Sequence, residues 1–172
     1  MAKRPVEILL VEQDADLAEI IDDALHEVMS VQVTYTDSVD EVLREERSHK
    51  HDLVIVNWKL ADGDGLELLR QLRISNQCPV ILTGDKPTVE QTIEAVRLGA
   101  RDILVKPFDP VVLAESARAA VRIEMIHRRQ RSRYRRLRIL TGRIIRERRD
   151  LKDRIELICQ DVVRAYRRLA QK

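Results

Sequence analysis

The 172 residues are 44% hydrophobic, 35% charged and 3% aromatic, so any core must be aliphatic, and the length suits one domain of ordinary size plus something helical and charged. No apolar run approaches the roughly 20 residues that span a bilayer, Cys78 and Cys159 lack metal-ligand spacing, and Glu7 interrupts the N-terminus before the apolar core of a signal peptide forms. These features speak against a membrane span, a disulfide framework and a thiolate metal centre, and lead us to expect a reduced, cytoplasmic protein. The net charge of +2 hides a division at Val121: residues 1–121 carry 13 Lys/Arg against 23 Asp/Glu, a net of −10, while residues 122–172 carry 18 against 6, a net of +12. Two parts with different roles are expected, 1–121 and 122–172.

In the first part, apolar runs alternate with amphipathic stretches. Val6 to Val11 reads as a strand and Leu17 to Val28 as a helix, followed by a strand from Val31 to Tyr35 and a helix from Val39 to Arg47. Leu53 to Val56 precedes a helix from about Asp64 to Leu72, Val80 to Leu82 one from about Thr88 to Leu98, and Ile103 to Val105 one starting near Pro110. Continuously apolar strands are buried on both faces, so five β/α repeats forming a doubly wound α/β parallel sheet are predicted. Ser38 with Glu41 and Asp64 with Glu67 have capping-box spacing, and Asp109-Pro110 offers an acceptor followed by proline at the first helical position.

In such a sheet the C-terminal strand ends converge on one crevice. They offer Glu12-Gln13-Asp14, then Asn57, then Thr83-Gly84, then Lys106-Pro107-Phe108. With the stretches Asp64 to Leu69 and Leu98 to Asp102, this ordered set resembles the bacterial response-regulator receiver domain over about 120 residues. The resemblance implies a flavodoxin-like (βα)5 fold in which an aspartate at the third strand end takes a phosphoryl group. It also implies an acidic pair after the first strand that helps hold Mg²⁺, and a Thr and a Lys, here Thr83 and Lys106, that sense and neutralise the new charge.

The match departs from that pattern at three mechanistic positions. Asn57 stands at the phospho-acceptor position, and an amide is neither a competent nucleophile nor an anionic Mg²⁺ ligand. Gln13 removes one carboxylate of the acidic pair and leaves Glu12, so Mg²⁺ binding is expected to be weak or absent, with no other metal or cofactor. Ile103 stands where many receivers carry a mobile aromatic. Three departures together fit a natural pseudo-receiver better than one substitution introduced at Asn57 or a deamidation there. Lys106 could simply satisfy an Asn57 or Glu12 oxygen while Thr83 caps the next helix; the same lysine contact could also freeze one of the two states that phosphorylation would select.

The second part continues helix five through Ala170, with a weak point at Thr141-Gly142, and would run on the order of 90 Å at 1.5 Å per residue. A heptad register gives one seam: Ile123, His127, Gln130, Tyr134, Leu137, Thr141, Ile144, Arg148, Leu151, Ile155, Ile158, Val162, Ala165 and Leu169. Ile155, Val162 and Leu169 fall at a, and Leu151, Ile158 and Ala165 at d, a pattern that favours parallel pairs, so a two-stranded coiled coil, strongest at its C-terminal end, is predicted. Glu147 at g and the following Lys152 at e would attract across a dimer. Leu140 and Ile145 widen the stripe, which leaves the stoichiometry open, and His127 reads as a polar seam residue.

Between Arg122 and Arg149 lie 12 arginines and, as acids, Glu124 and Glu147 alone. Arg128, Arg129, Arg131, Arg133, Arg135, Arg136 and Arg138 are the candidate anion contacts, against the plainer reading of a solvated face. The acidic first part, RNA or DNA, an acidic protein or an anionic membrane surface could face them. Tyr134 is the one aromatic among them, and no helix-turn-helix, winged or zinc pattern is present. The expectation is a non-enzymatic response regulator: a phosphorylation-independent pseudo-receiver that forms a homodimer through its C-terminal helix and binds a protein partner in a two-component or phosphorelay pathway. The alternative is a nucleic-acid-binding regulator that uses the arginine helix. A third reading, retained phosphotransfer, would let Trp58 beside Asn57 report Mg²⁺.

Overall fold

A computed structural model describes residues 4–75 and 78–169. Along the chain run β1 (Val6–Val11), α1 (Ala15–Val28), β2 (Val31–Thr36), α2 (Val39–Ser48), β3 (Leu53–Asn57), β4 (Lys59–Leu60), β5 (Gly63–Asp64), α3 (Gly65–Ser75), β6 (Val80–Gly84), α4 (Val89–Leu98), β7 (Asp102–Val105) and α5 (Pro110–Leu169). Five strands form one parallel sheet in the order β2-β1-β3-β6-β7. β4 and β5 form a two-residue antiparallel pair just after β3, which the strand periodicity does not reveal. The chain divides into two compact units between Ile126 and His127, a little beyond the change of charge at Val121.

The apolar strand runs are buried on both faces because successive side chains point to opposite sides. Ile8 and Leu10 of β1, Leu53 and Ile55 of β3 and Ile81 of β6 share one core with α1 and the start of α5, through Ile21, Leu25, Leu113 and Ala117. Leu9, Val11, Val54, Val56 and Leu82 point the other way and share a second core with Val42 of α2, Leu68, Leu69 and Leu72 of α3 and Ala95 of α4. These two layers fix the strand ends whose loops form the crevice.

The helix starts differ in part from the sequence expectation. Asp109 accepts from the Val111 N–H at 2.9 Å, as its position before Pro110 predicts. Asp64 accepts from Leu66 N–H at 2.7 Å, but Glu67 turns to Arg70 and Gln71 instead of reaching back to close a box. Ser38 does not cap α2 with its side chain. Asp62, in the turn between β4 and β5, accepts from Val39 N–H at 2.9 and 3.0 Å and from the Ser38 hydroxyl at 2.8 Å, while Glu41 takes the Thr36 hydroxyl at 2.7 Å. A cap acceptor supplied from across the chain has replaced the local one. The reciprocal capping box forms at Thr88 and Gln91, ahead of α4, and Gly99 closes that helix in the left-handed conformation.

In the second unit α5 passes through Thr141-Gly142 without a break, and a Cβ on Gly142 would project into open space, with nothing among the described residues within 4 Å beyond its chain neighbours and the helix's own nearby backbone. Leu137, Ile144, Leu151, Ile155 and Ile158 of the predicted seam are all exposed in the single chain, as are Leu140 and Ile145. The side chains of Val162, Ala165 and Leu169 lie outside the described residues.

The Val39 N–H, and after it the Ser38 hydroxyl, hold the Asp62 carboxyl below its ordinary value of 3.8. Because the ionised form is the one bound, protection of the first turn of α2 should persist above the ordinary value and be lost as pH falls through the lowered one. Hydrogen exchange at Val39 measured down that range should show this loss in the native chain and little pH dependence in Asp62→Asn.

Candidate functional site

Glu12 follows β1, and its backbone N–H donates to the Thr36 carbonyl at 3.2 Å, which fixes it at the mouth of the crevice. Its side chain is almost fully enclosed, with 2% exposure. A carboxylate withdrawn from water needs partners for its lone pairs, and both oxygens are engaged. Oε1 accepts from the Asn57 amide Nδ2 at 2.8 Å and from the backbone N–H groups of Gln13 and Asp14 at 3.0 and 3.3 Å. Oε2 accepts from Lys106 Nζ at 2.7 Å. Three strand ends, 45 and 94 residues apart along the chain, are tied to one carboxylate.

Asn57 ends β3, pairs in register with Thr83, and its Oδ1 accepts from the Lys59 backbone N–H at 3.3 Å. The backbone packs closely on either side of it. A Cβ on Gly65 would come within 2.6 Å of the Asn57 carbonyl oxygen, and one on Gly84 within 2.6 Å of Trp58 Cβ, so both positions need glycine. Trp58 is 4% exposed, belongs to the second core, and donates its backbone N–H to the Thr83 carbonyl at 2.6 Å. Lys106 is held by its own backbone N–H, which donates to the Gly84 carbonyl at 2.9 Å, and is followed by a cis bond to Pro107.

The structure thus brings Glu12, Asn57 and Lys106 together and leaves Gln13 touching the cluster through its backbone alone among the contacts of Glu12. Of the two oxygens offered to Lys106 by the sequence, Glu12 is the partner. Thr83 is buried at the end of β6 and does not cap the following helix; Thr88 does. Ile103 lies in β7 opposite Leu82 and packs against the second core. Asp14, the remaining acid of the first loop, accepts from Leu17 N–H at 3.1 Å as the cap of α1.

This donor set does not fit a divalent cation. Position 57 presents a neutral amide, Asp14 is committed to its helix, and both Glu12 oxygens already accept hydrogen bonds, Oε2 from an ammonium. Between α1 and α2 lies a groove of about 590 Å³ that is lined by Glu12, Glu19, Asp37 and Glu41.

The strand order, the crevice and its lysine can be set against known proteins. Residues 8–118 match the response regulator receiver domain family. The chain belongs to the response regulator receiver family. It is 33% identical over 119 residues to the response regulator ArlR of Staphylococcus aureus, covering 67% of this chain and 52% of that protein, so the receiver chain described here spans about half the length of the curated relatives it matches. A two-component response regulator from Clostridium difficile is 25% identical with a TM-score of 0.63, covering 68% of this chain and 96% of the other. A CheY-like receiver domain from Methanospirillum hungatei, 20% identical, shares the fold with a TM-score of 0.67 over 72% of this chain and 99% of that one. The receiver fold is therefore present here with an amide, Asn57, at the end of its third strand.

In the second unit, Arg128 through Arg138 are exposed along α5 and Glu147 pairs within its own helix with Arg143 at 2.9 Å. Among the described residues no helix is long and apolar enough to cross a membrane, and no group of three or more His, Cys, Asp or Glu is placed to hold a metal.

Removing Lys106 strands a buried carboxylate. Lys106→Met should destabilise the receiver unit by roughly 3 kcal/mol in urea unfolding followed by Trp58 fluorescence, and Glu12→Gln in the same chain should recover much of that loss.

Proposed function

We propose that this chain is a non-enzymatic, phosphorylation-independent pseudo-receiver of a two-component or phosphorelay pathway, acting in the cytoplasm as a homodimer joined through α5 and binding a protein partner. The observation that carries this reading is the closed set of contacts at Glu12. The resemblance implies a lysine that neutralises an arriving phosphoryl group; here Lys106 is engaged by the Glu12 carboxylate, and Asn57 contributes a donor to the same carboxylate. The crevice is held in one arrangement with no charge left to sense, so an incoming phosphoryl group would have neither a nucleophile to attack it nor a free cation to select a second state. Signalling then depends on which partner recognises the fixed surface.

The dimer reading rests on the apolar stripe through Ile144, Leu151, Ile155 and Ile158. These side chains are 59 to 64% exposed in the single chain, and covering them against a second copy removes an apolar seam, interrupted at Arg148, from water. Val162 and Leu169 extend the seam in sequence.

The chain should take no phosphoryl group from acetyl phosphate with Mg²⁺, as read by intact mass, and should keep a dimeric light-scattering mass throughout, whereas Leu151→Glu with Ile155→Glu should give a monomer. A phosphoryl adduct on the native chain contradicts the pseudo-receiver reading. A native monomer contradicts the dimer alone.

A further inference from the structure

The arginines of α5 between Glu124 and Glu147 play no part in the pseudo-receiver reading. That 22-residue stretch holds nine arginines and no acidic residue. At 1.5 Å per residue it covers about 33 Å, close to one turn of a B-form duplex. Arg129 and Arg133, and Arg133 and Arg136, stand four and three residues apart, where like charges repel.

The arrangement of the arginines around the helix is specific. At about 100° per residue, Arg128, Arg131, Arg135, Arg138 and Arg146 lie along one flank, and Arg129, Arg133, Arg136 and Arg143 along the other. Tyr134, Leu137 and Thr141 occupy the face between the two banks on the side of the seam. Ser132 and Ile139 occupy the narrow strip between them on the opposite side. Two cationic rails with a small, uncharged strip between them match the major groove of B-form DNA, which is about 12 Å wide, admits one α-helix and has a phosphate wall on either side. The deep, narrow major groove of an RNA duplex does not admit it.

We infer that this stretch of α5 binds duplex DNA by lying in the major groove with one arginine bank toward each phosphate wall, without reading base sequence. The strip that would face the base edges carries Ser132 and Ile139 and none of the Arg, Asn or Gln forks that discriminate bases. Gln130 and Tyr134, the amide and the aromatic of the stretch, lie on the seam side, so neither base readout nor base stacking is built in. Arg128, Arg129, Arg135, Arg136, Arg143 and Arg146 lie off the seam and Arg131, Arg133 and Arg138 at its margins, and none of them takes part in phosphoryl chemistry.

The test is fluorescence anisotropy with the full chain and labelled duplexes of about two helical turns in two unrelated sequences, across a salt series, beside an RNA duplex of the same length and anionic phosphatidylserine vesicles. The two DNA sequences should bind alike, with an affinity that falls on the order of 10³-fold between 50 and 200 mM salt, linearly on a log–log plot. The RNA duplex should bind at least about tenfold more weakly. Arg129→Gln with Arg133→Gln and Arg136→Gln should weaken DNA binding at least about tenfold, the corresponding three lysines should retain most of it, and Arg97→Gln in the receiver unit should have no effect. Circular dichroism checks that each variant keeps its helix. No DNA binding at low salt, a triple glutamine variant that binds like the native chain, or a preference for the RNA duplex or the vesicles over DNA would overturn the inference, and none of these outcomes bears on phosphoryl transfer or on dimerisation.

Discussion

A carboxylate at the end of a central strand, closed off from water, must have its lone pairs satisfied by whatever the neighbouring strand ends supply. Glu12 imposes that constraint on the whole crevice. The parallel sheet brings the C-terminal ends of β1, β3 and β7 to the same side, and the two cores pack those strands on both faces. Asn57 and Lys106 meet the carboxylate from opposite sides, at 2.8 and 2.7 Å, and the backbone of the first loop supplies the remaining donors. The amide matters as much as the lysine. An aspartate at position 57 would face Glu12 as a second anion and would need a cation between the two; an asparagine turns the same approach into a hydrogen bond.

The same residues account for what was legible in advance. Two-sided apolar runs such as Leu53 to Val56 specify buried parallel strands, and the order of polar residues at their ends specifies the crevice. The glutamate and the amide are therefore legible as its contents. The choice between Glu12 and Asn57 as the partner of Lys106 was not, because it depends on which oxygen lies within reach once the sheet has twisted. The α2 cap was missed for a related reason. Ser38 and Glu41 satisfy the local spacing rule, but Asp62 takes the Ser38 hydroxyl and the Val39 N–H from a turn 23 residues beyond Val39, and a one-dimensional pattern has no means of ranking a distant acceptor against a near one. The capping box that does form, Thr88 with Gln91, shows that the local rule works where no distant carboxylate competes.

Charge is divided along the chain as sharply as structure is. The unit that carries the sheet is acidic, and its groove between α1 and α2 is rimmed by carboxylates; the continuation of α5 is basic and has no core of its own among the described residues. A helix of that kind gains little from burial within its own chain, so its stability and its purpose both point to surfaces supplied from outside: an apolar seam for another helix and cationic flanks for an anion. On this account the receiver unit supplies a fixed recognition surface, and the helix supplies the assembly and contact surfaces.

The most direct test of a closed crevice is to observe its hydrogen bonds while offering the ion that an open one would take. NMR of the native chain can follow the Asn57 side-chain amide and the Lys106 ammonium as Mg²⁺ and then beryllofluoride are added to millimolar concentration. The account predicts that both resonances stay where they are in the free protein, because Glu12 keeps all its donors. A saturable shift of the two together would mean that Glu12 exchanges its lysine and amide for the added ion, and would contradict the claim that the switch is fixed.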